Sequence, residues 1–296
     1  MRQDRDYRGF YYPFKKCIFV FHFKHLMRNF LFILLVLISL YSCSEYQQVL
    51  KNEDVAAKFK LGTDLYEAGK FEKANRLFLQ IVPKYRGKPQ AEKLMYMHSK
   101  AFYETQDYYT ANYKLEQFVE SYPKSERVDE IAYLGAKSYY YLSPAYSRDQ
   151  TETYDALEKL QLFINKYPDS KYFDEANALI QELDLRLEKK AYEIALQYNT
   201  TGPFHRDYNS AITAFDNFIE NFPGSIYRED ALFYKFDSAY KLAVNSVLRK
   251  QQERTEVALK FYKNLMRYFP ETKYHSQTTQ MHETLENIKN NLTTKS

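Results

Sequence analysis

An alanine opens the same short pattern five times in this chain. From Ala74, the residues 4, 7 and 11 positions ahead are Phe78, Ile81 and Tyr85. From Ala111 they are Leu115, Phe118 and Tyr122; from Ala156, Leu160, Phe163 and Tyr167. From Ala211 they are Phe215, Phe218 and Phe222; from Ala258, Tyr262, Leu265 and Phe269. The next residue is Pro123, Pro168, Pro223 or Pro270 in four copies, and Arg86 in the first. Such offsets trace one face of a helix, with the small alanine where a neighbouring helix can come close. The proline then stops the helix, because it excludes the residue before it from the α region. Self-similarity of this kind marks a repeat architecture and constrains the fold more than any composition figure.

A second helix precedes each alanine. Ala91, Leu94, Met95, His98, Ala101 and Phe102 keep helical spacing, as do Val128, Ile131, Ala132, Gly135 and Tyr139. The unit is therefore helix A, turn, helix B, stop, and Ser125, Ser170, Ser225 and Thr272 after the stops suit N-caps of the next helix. The alanines lie 37, 45, 55 and 47 residues apart. The units resemble tetratricopeptide repeats with longer joints, the first most closely, through Leu61, Gly62, Leu65, Gly69, Phe71, Ala74 and Phe78. That resemblance implies an all-α fold, five repeats stacked in a right-handed superhelix with a concave groove. A last helix carrying Met281, Leu285 and Ile288 is expected to cap the stack. The expected divisions are repeats one to three with a following helix over 55–198, repeats four and five with the cap over 199–290, and a disordered tail over 291–296.

Residues 27–43 read MRNFLFILLVLISLYSC. Arg28 precedes an 11-residue apolar run, Phe30 to Leu40, which is the length of a signal-peptide core and too short to span a bilayer. The ending Leu40-Tyr41-Ser42-Cys43 resembles the lipobox of bacterial lipoproteins. It implies a diacylglyceryl thioether on Cys43, cleavage of 27–42 and acylation of the new amino group. Residues 43–54 are then a lipidated tether, and Ser44 favours outer-membrane delivery. Residues 1–26 read as an extension ahead of a true start at Met27.

Charge and composition remove several function classes. Residues 1–42 carry seven Lys/Arg against two Asp, and the rest of the chain carries 35 positive and 36 negative charges. The mature chain lacks the basic excess of a nucleic-acid footprint. Cys43 is its single cysteine, so no internal disulfide forms. His98 falls in the apolar column of a helix A and reads as a satisfied core residue. His275 and His282 share a face without a third ligand and read as surface, and the charges of Arg249–Arg254 as a solvated turn. Neither a nucleophile elbow nor a phosphate loop is present, so no enzyme, cofactor or metal is expected.

The third repeat carries an insertion, Leu142 to Thr151, containing Arg148-Asp149-Gln150-Thr151 ahead of Tyr167-Pro168-Asp169-Ser170-Lys171-Tyr172. With the five-repeat count and the lipobox, this resembles the BamD family, lipoproteins of the bacterial outer-membrane β-barrel assembly machinery. The resemblance covers about residues 43–275, with the joint 198–210 and Arg249–Arg254 departing from shorter members. It implies a non-catalytic scaffold on the periplasmic side of the outer membrane. Its implied partners are a BamA-like barrel protein held by repeats over about 199–275, other assembly lipoproteins, and C-terminal signals of unfolded barrel proteins. A Tol-Pal-type envelope coordinator, or a glycan-binding lipoprotein resembling the SusD group, are the alternatives.

Aligned on the repeat alanine, the A helices share a stripe: Phe59, Thr63, Tyr66; Tyr96, Lys100, Tyr103; Tyr133, Lys137, Tyr140. In tetratricopeptide-type stacks this face lines the concave surface. Two lysines among tyrosines suit an extended peptide ending in an aromatic residue and a free carboxylate. Tyr66, Tyr103 and Tyr140 also suit packing between neighbouring repeats, with the lysines solvated; both readings stand at this point.

Overall fold

The computed structural model describes residues 45–205 and 207–293. The leader, its extension and Cys43 lie outside the described residues, as does the end of the tail. The chain is helical throughout the described residues and forms two compact units, one ending at Gln106 and one beginning at Asp107. This division differs from the expected one at 198/199, which falls inside a continuous helix.

The first unit holds α1 (residues 45–51), α2 (Val55–Glu67), α3 (Phe71–Tyr85) and α4 (Ala91–Glu104). Asp54 caps α2, its carboxylate accepting from the Ala56 and Ala57 amides. Leu77, Phe78 and Ile81 of α3 pack with Leu94, Met97 and Ala101 of α4, all buried. Gly62 lets α2 approach, since a Cβ there would lie 2.6 Å from the Phe78 ring. His98 is 1% exposed and its Nδ1 pairs with Asn75 Oδ1 at 2.9 Å, so it is a core histidine held through one ring nitrogen. Where the first repeat lacks the stop proline, Gly87 makes the turn at φ 80°.

The second unit holds α5 (Tyr108–Ser121), α6 (Val128–Leu142), α7 (Thr151–Lys166), α8 (Phe173–His205), α9 (Asn209–Asn221), α10 (Arg228–Val244), α11 (Leu248–Tyr268) and α12 (His275–Thr293). The template alanines and most residues 4 and 7 ahead are buried; Tyr262 is half-buried and stacks on His282 instead. The stops work as the proline argument requires. Tyr122, Tyr167, Phe222 and Phe269 end their helices at φ near −130° and ψ of 57–73°.

Helix α8 explains the 55-residue interval. Its first half gives Ala176 and Leu183 to a core with α6 and α7; its second half gives Tyr192 and Ala195 to a core with α9 and α10. The joint after residue 198 is thus the end of α8. Arg249–Arg254 forms the opening turns of α11 rather than a turn between elements. Leu285 of α12 is buried, with Met281 half-buried, against the α10–α11 core, the expected cap, and this helix runs on to Thr293.

Ser125, Ser170, Ser225 and Thr272 are not helix N-caps. Each hydroxyl oxygen accepts from the amide two residues on, at 2.9–3.3 Å, closing a turn just before the helix. Three of them also donate to an acid on the previous A helix: Ser170 to Asp129 at 3.0 Å, Ser225 to Glu188 at 2.6 Å, Thr272 to Glu229 at 2.7 Å. Four residues past each acid is an aromatic ring that stacks on the tyrosine of the turn. The pairs are Tyr133 on Tyr172 at 4.6 Å, Tyr192 on Tyr227 at 4.7 Å and Phe233 on Tyr274 at 3.7 Å. One acid and one ring, a helical turn apart, therefore hold three of these four turns.

Candidate functional site

The aromatic and lysine stripe falls on the helices expected for it, three residues on each of α2 and α4 in the first unit and three on α6 in the second. On α2, Phe59 stacks on Tyr85 at 5.1 Å and Tyr66 meets Phe71 edge-on at 5.3 Å. Thr63 is buried and its hydroxyl donates to the Phe59 carbonyl at 2.8 Å. On α4, Tyr96, Lys100 and Tyr103 are half-buried. The Lys100 ammonium donates to the Tyr96 hydroxyl at 3.3 Å and lies 5.6 Å from that ring's centre, so one side chain organises the other.

On α6, Tyr133 is 2% exposed and stacks on Tyr172. The Lys137 ammonium is not merely solvated. It lies 2.6 Å from Glu175 Oε1 on α8 and 5.4 Å from the centre of the Tyr133 ring. Tyr140 donates to Glu182 Oε2 at 2.8 Å, and Glu182 in turn accepts from Arg186 at 2.9 Å. The hydrogen bond from Lys137 holds the Glu175 carboxyl below the ordinary glutamate range. Burial, then the bond to Glu182, pushes the Tyr140 phenol up. Glu175, Glu182 and Arg186 were not foreseen. They sit 7 and 4 residues apart on one face of α8, a helical spacing that would have marked them as a polar stripe.

The insertion is a built loop. Arg186 donates to the Ser143 carbonyl at 3.0 Å, to its hydroxyl at 2.7 Å and to the Pro144 carbonyl at 3.2 Å. Gln150, 4% exposed, donates to the Ala145, Arg148 and Asp149 carbonyls, and its own oxygen accepts from Thr153 at 2.9 Å. Lys190 donates to the Arg148 carbonyl, and Lys189 lies 4.4 Å from the centre of the Tyr146 ring. Asp149 accepts from the Thr151 amide and hydroxyl, which lowers its pKa despite full exposure. The loop is thus fastened to α8 by cations, with the Arg148 side chain left exposed.

Paired helices closed by proline stops, with side chains offered on helix faces, define a tetratricopeptide-like repeat protein. An outer membrane lipoprotein family, YfiO, matches residues 51–205 and 203–296. The chain belongs to that family, and the BamD resemblance read from the insertion and the repeat count agrees with it. No curated protein matches the chain. Among the described residues, no helix is long and apolar enough to cross a membrane.

Proposed function

We propose that this lipoprotein is a non-catalytic scaffold of the outer-membrane β-barrel assembly machinery. It holds the periplasmic part of a BamA-like barrel protein and assists insertion of barrel proteins. The observation that carries the reading is the family match, which runs through all five repeats. Cys43 bears the lipid that tethers it to the inner face of the outer membrane. Intact-mass analysis of the mature N-terminus would show an acylated Cys43, and an unmodified chain starting elsewhere would refute the anchor. The helices after α8 carry the barrel-protein contact, and two surfaces, each by itself, suit the C-terminal signal of an unfolded substrate: Tyr96, Lys100 and Tyr103 on α4, and Lys137 and Tyr140 on α6. Removing residues 207–296 leaves α8 whole, and should abolish co-purification of the barrel protein while circular dichroism still reports helix. Full co-purification by that folded, shortened chain would overturn the placement.

A further inference from the structure

The last of the five B helices breaks the charge pattern of the others. Five and nine residues past the repeat alanine stand Leu79 and Pro83 on α3, Glu116 and Glu120 on α5, Gln161 and Asn165 on α7, and Asp216 and Glu220 on α9. On α11 the same two positions are Lys263 and Arg267, and Lys260 stands three residues before Lys263. Offsets of three and four put these cations in one stripe, where like charges cost the helix stability. Only Arg267 lies in the last turn, where the helix dipole favours a cation. The other repeats stack without such a stripe, so stacking does not require it.

The stripe borders a cavity of about 500 Å³ between α9, α10 and α11, lined by Asp216, Lys235, Lys260, Phe261, Lys263 and Arg267. That volume is in the range of small-molecule sites, about 300–1,000 Å³. Lys235 is 7% exposed, and its ammonium pairs with Asp216 and lies 4.0 Å from the centre of the Phe261 ring. An ammonium has three donors, and among the described residues Asp216 is the one acceptor bonded to this one. Lys260, Lys263 and Arg267 pair with no carboxylate of the described residues. Four cations therefore share the cavity with one acid.

We propose that this cavity binds the phosphate group of a phosphate monoester. A carboxylate would bring one negative charge, which Asp216 already does. A phosphate monoester brings nearly two at pH 7 and three strong acceptor oxygens, a match for three cations left without an acid. Arg267 offers a planar fork of donors, and Lys235 offers an ammonium out of bulk water, where charge attraction is less screened. Phe261 gives the group that carries the phosphate an apolar wall. A soluble monoester and a lipid headgroup present this chemistry alike. The site uses none of the residues assigned to substrate signals and goes beyond the scaffold reading. It shares α9 to α11 with the proposed barrel-protein contact, but its test uses the chain without that partner, so neither result decides the other.

The test is calorimetric titration of the full-length chain, purified alone in mild detergent, with glycerol 3-phosphate, dihexanoyl phosphatidic acid and succinate. Both phosphate monoesters should bind saturably, and succinate at least about ten-fold more weakly. Equal affinity for the two monoesters would assign the phosphate alone as the ligand, and an affinity about ten-fold higher for phosphatidic acid would assign a lipid headgroup. Lys263→Gln with Arg267→Gln, both at exposed positions, should weaken phosphate binding by about ten-fold or more, while Lys124→Gln leaves it within about two-fold. Lys235→Met should weaken it as well, and the double variant serves if Lys235→Met fails to fold by circular dichroism. No binding of either monoester, succinate binding as tight as phosphate, or unchanged binding in the folded double variant would overturn the proposal.

Discussion

Lys100 and Lys137 occupy one column of the repeat but meet different neighbours. The Lys100 ammonium reaches the tyrosine one turn earlier on its own helix, at 3.3 Å. Lys137 reaches across to Glu175 on α8, at 2.6 Å. A peptide carboxylate arriving at Lys137 therefore competes with a carboxylate already in place. Lys100→Glu and Lys137→Glu, each by itself, should weaken a barrel C-terminal peptide bound at that helix by about 1–3 kcal/mol, the cost of losing charge-assisted contacts. Glu175→Gln should strengthen it, because the competitor is gone, and amidating the peptide's C-terminus should weaken it. Fluorescence titration measures these changes, and unchanged binding in a folded charge-reversed variant would remove that lysine as a carboxylate site.

Between elements, the second unit relies on one device used three times, an acid and an aromatic ring holding a hydroxyl and a tyrosine of the following turn. At Tyr274 the phenol stacks on Phe233 at 3.7 Å and donates to Asp230 Oδ1 at 2.8 Å. Burial, then that bond, then the Asp230 charge push its pKa well above the ordinary tyrosine value, and Tyr192 is raised in the same direction, chiefly by burial. A raised folded value means the neutral phenol is favoured in the folded state. The stability it contributes is complete below the unfolded tyrosine pKa of about 10 and is lost as pH rises toward the folded value. Circular dichroism melts from about pH 9 to about 12 should show alkaline destabilisation that Tyr274→Phe makes shallower, because phenylalanine cannot ionise. An alkaline limb of equal steepness in the variant would show that this joint does not set it. The elements themselves were legible where one helix face carries the signal, as the alanine columns do. The joints were not, because Ser225 and Glu188 lie 37 residues apart and meet only after folding. The joint expected over 198–210 lies largely within α8, which runs to His205 with Pro203 inside it. Packing of Tyr192 and Ala195 carries it through, and Asn199 donates to Asp237 and Ser238 at 2.8 Å. Lys137 was legible as part of a stripe, but its partner Glu175 lies on another helix.

For the whole molecule, membership of an outer membrane lipoprotein family goes with an all-helical repeat fold among the described residues. The claim that matters most is which proteins it holds. The full-length chain, tagged at its C-terminus and purified from its native membranes in mild detergent, identifies those proteins by mass spectrometry. The account predicts a β-barrel assembly protein as the dominant partner, retained through salt washes. A Pal-like protein or a sugar transporter in its place, with no barrel assembly protein, would contradict it.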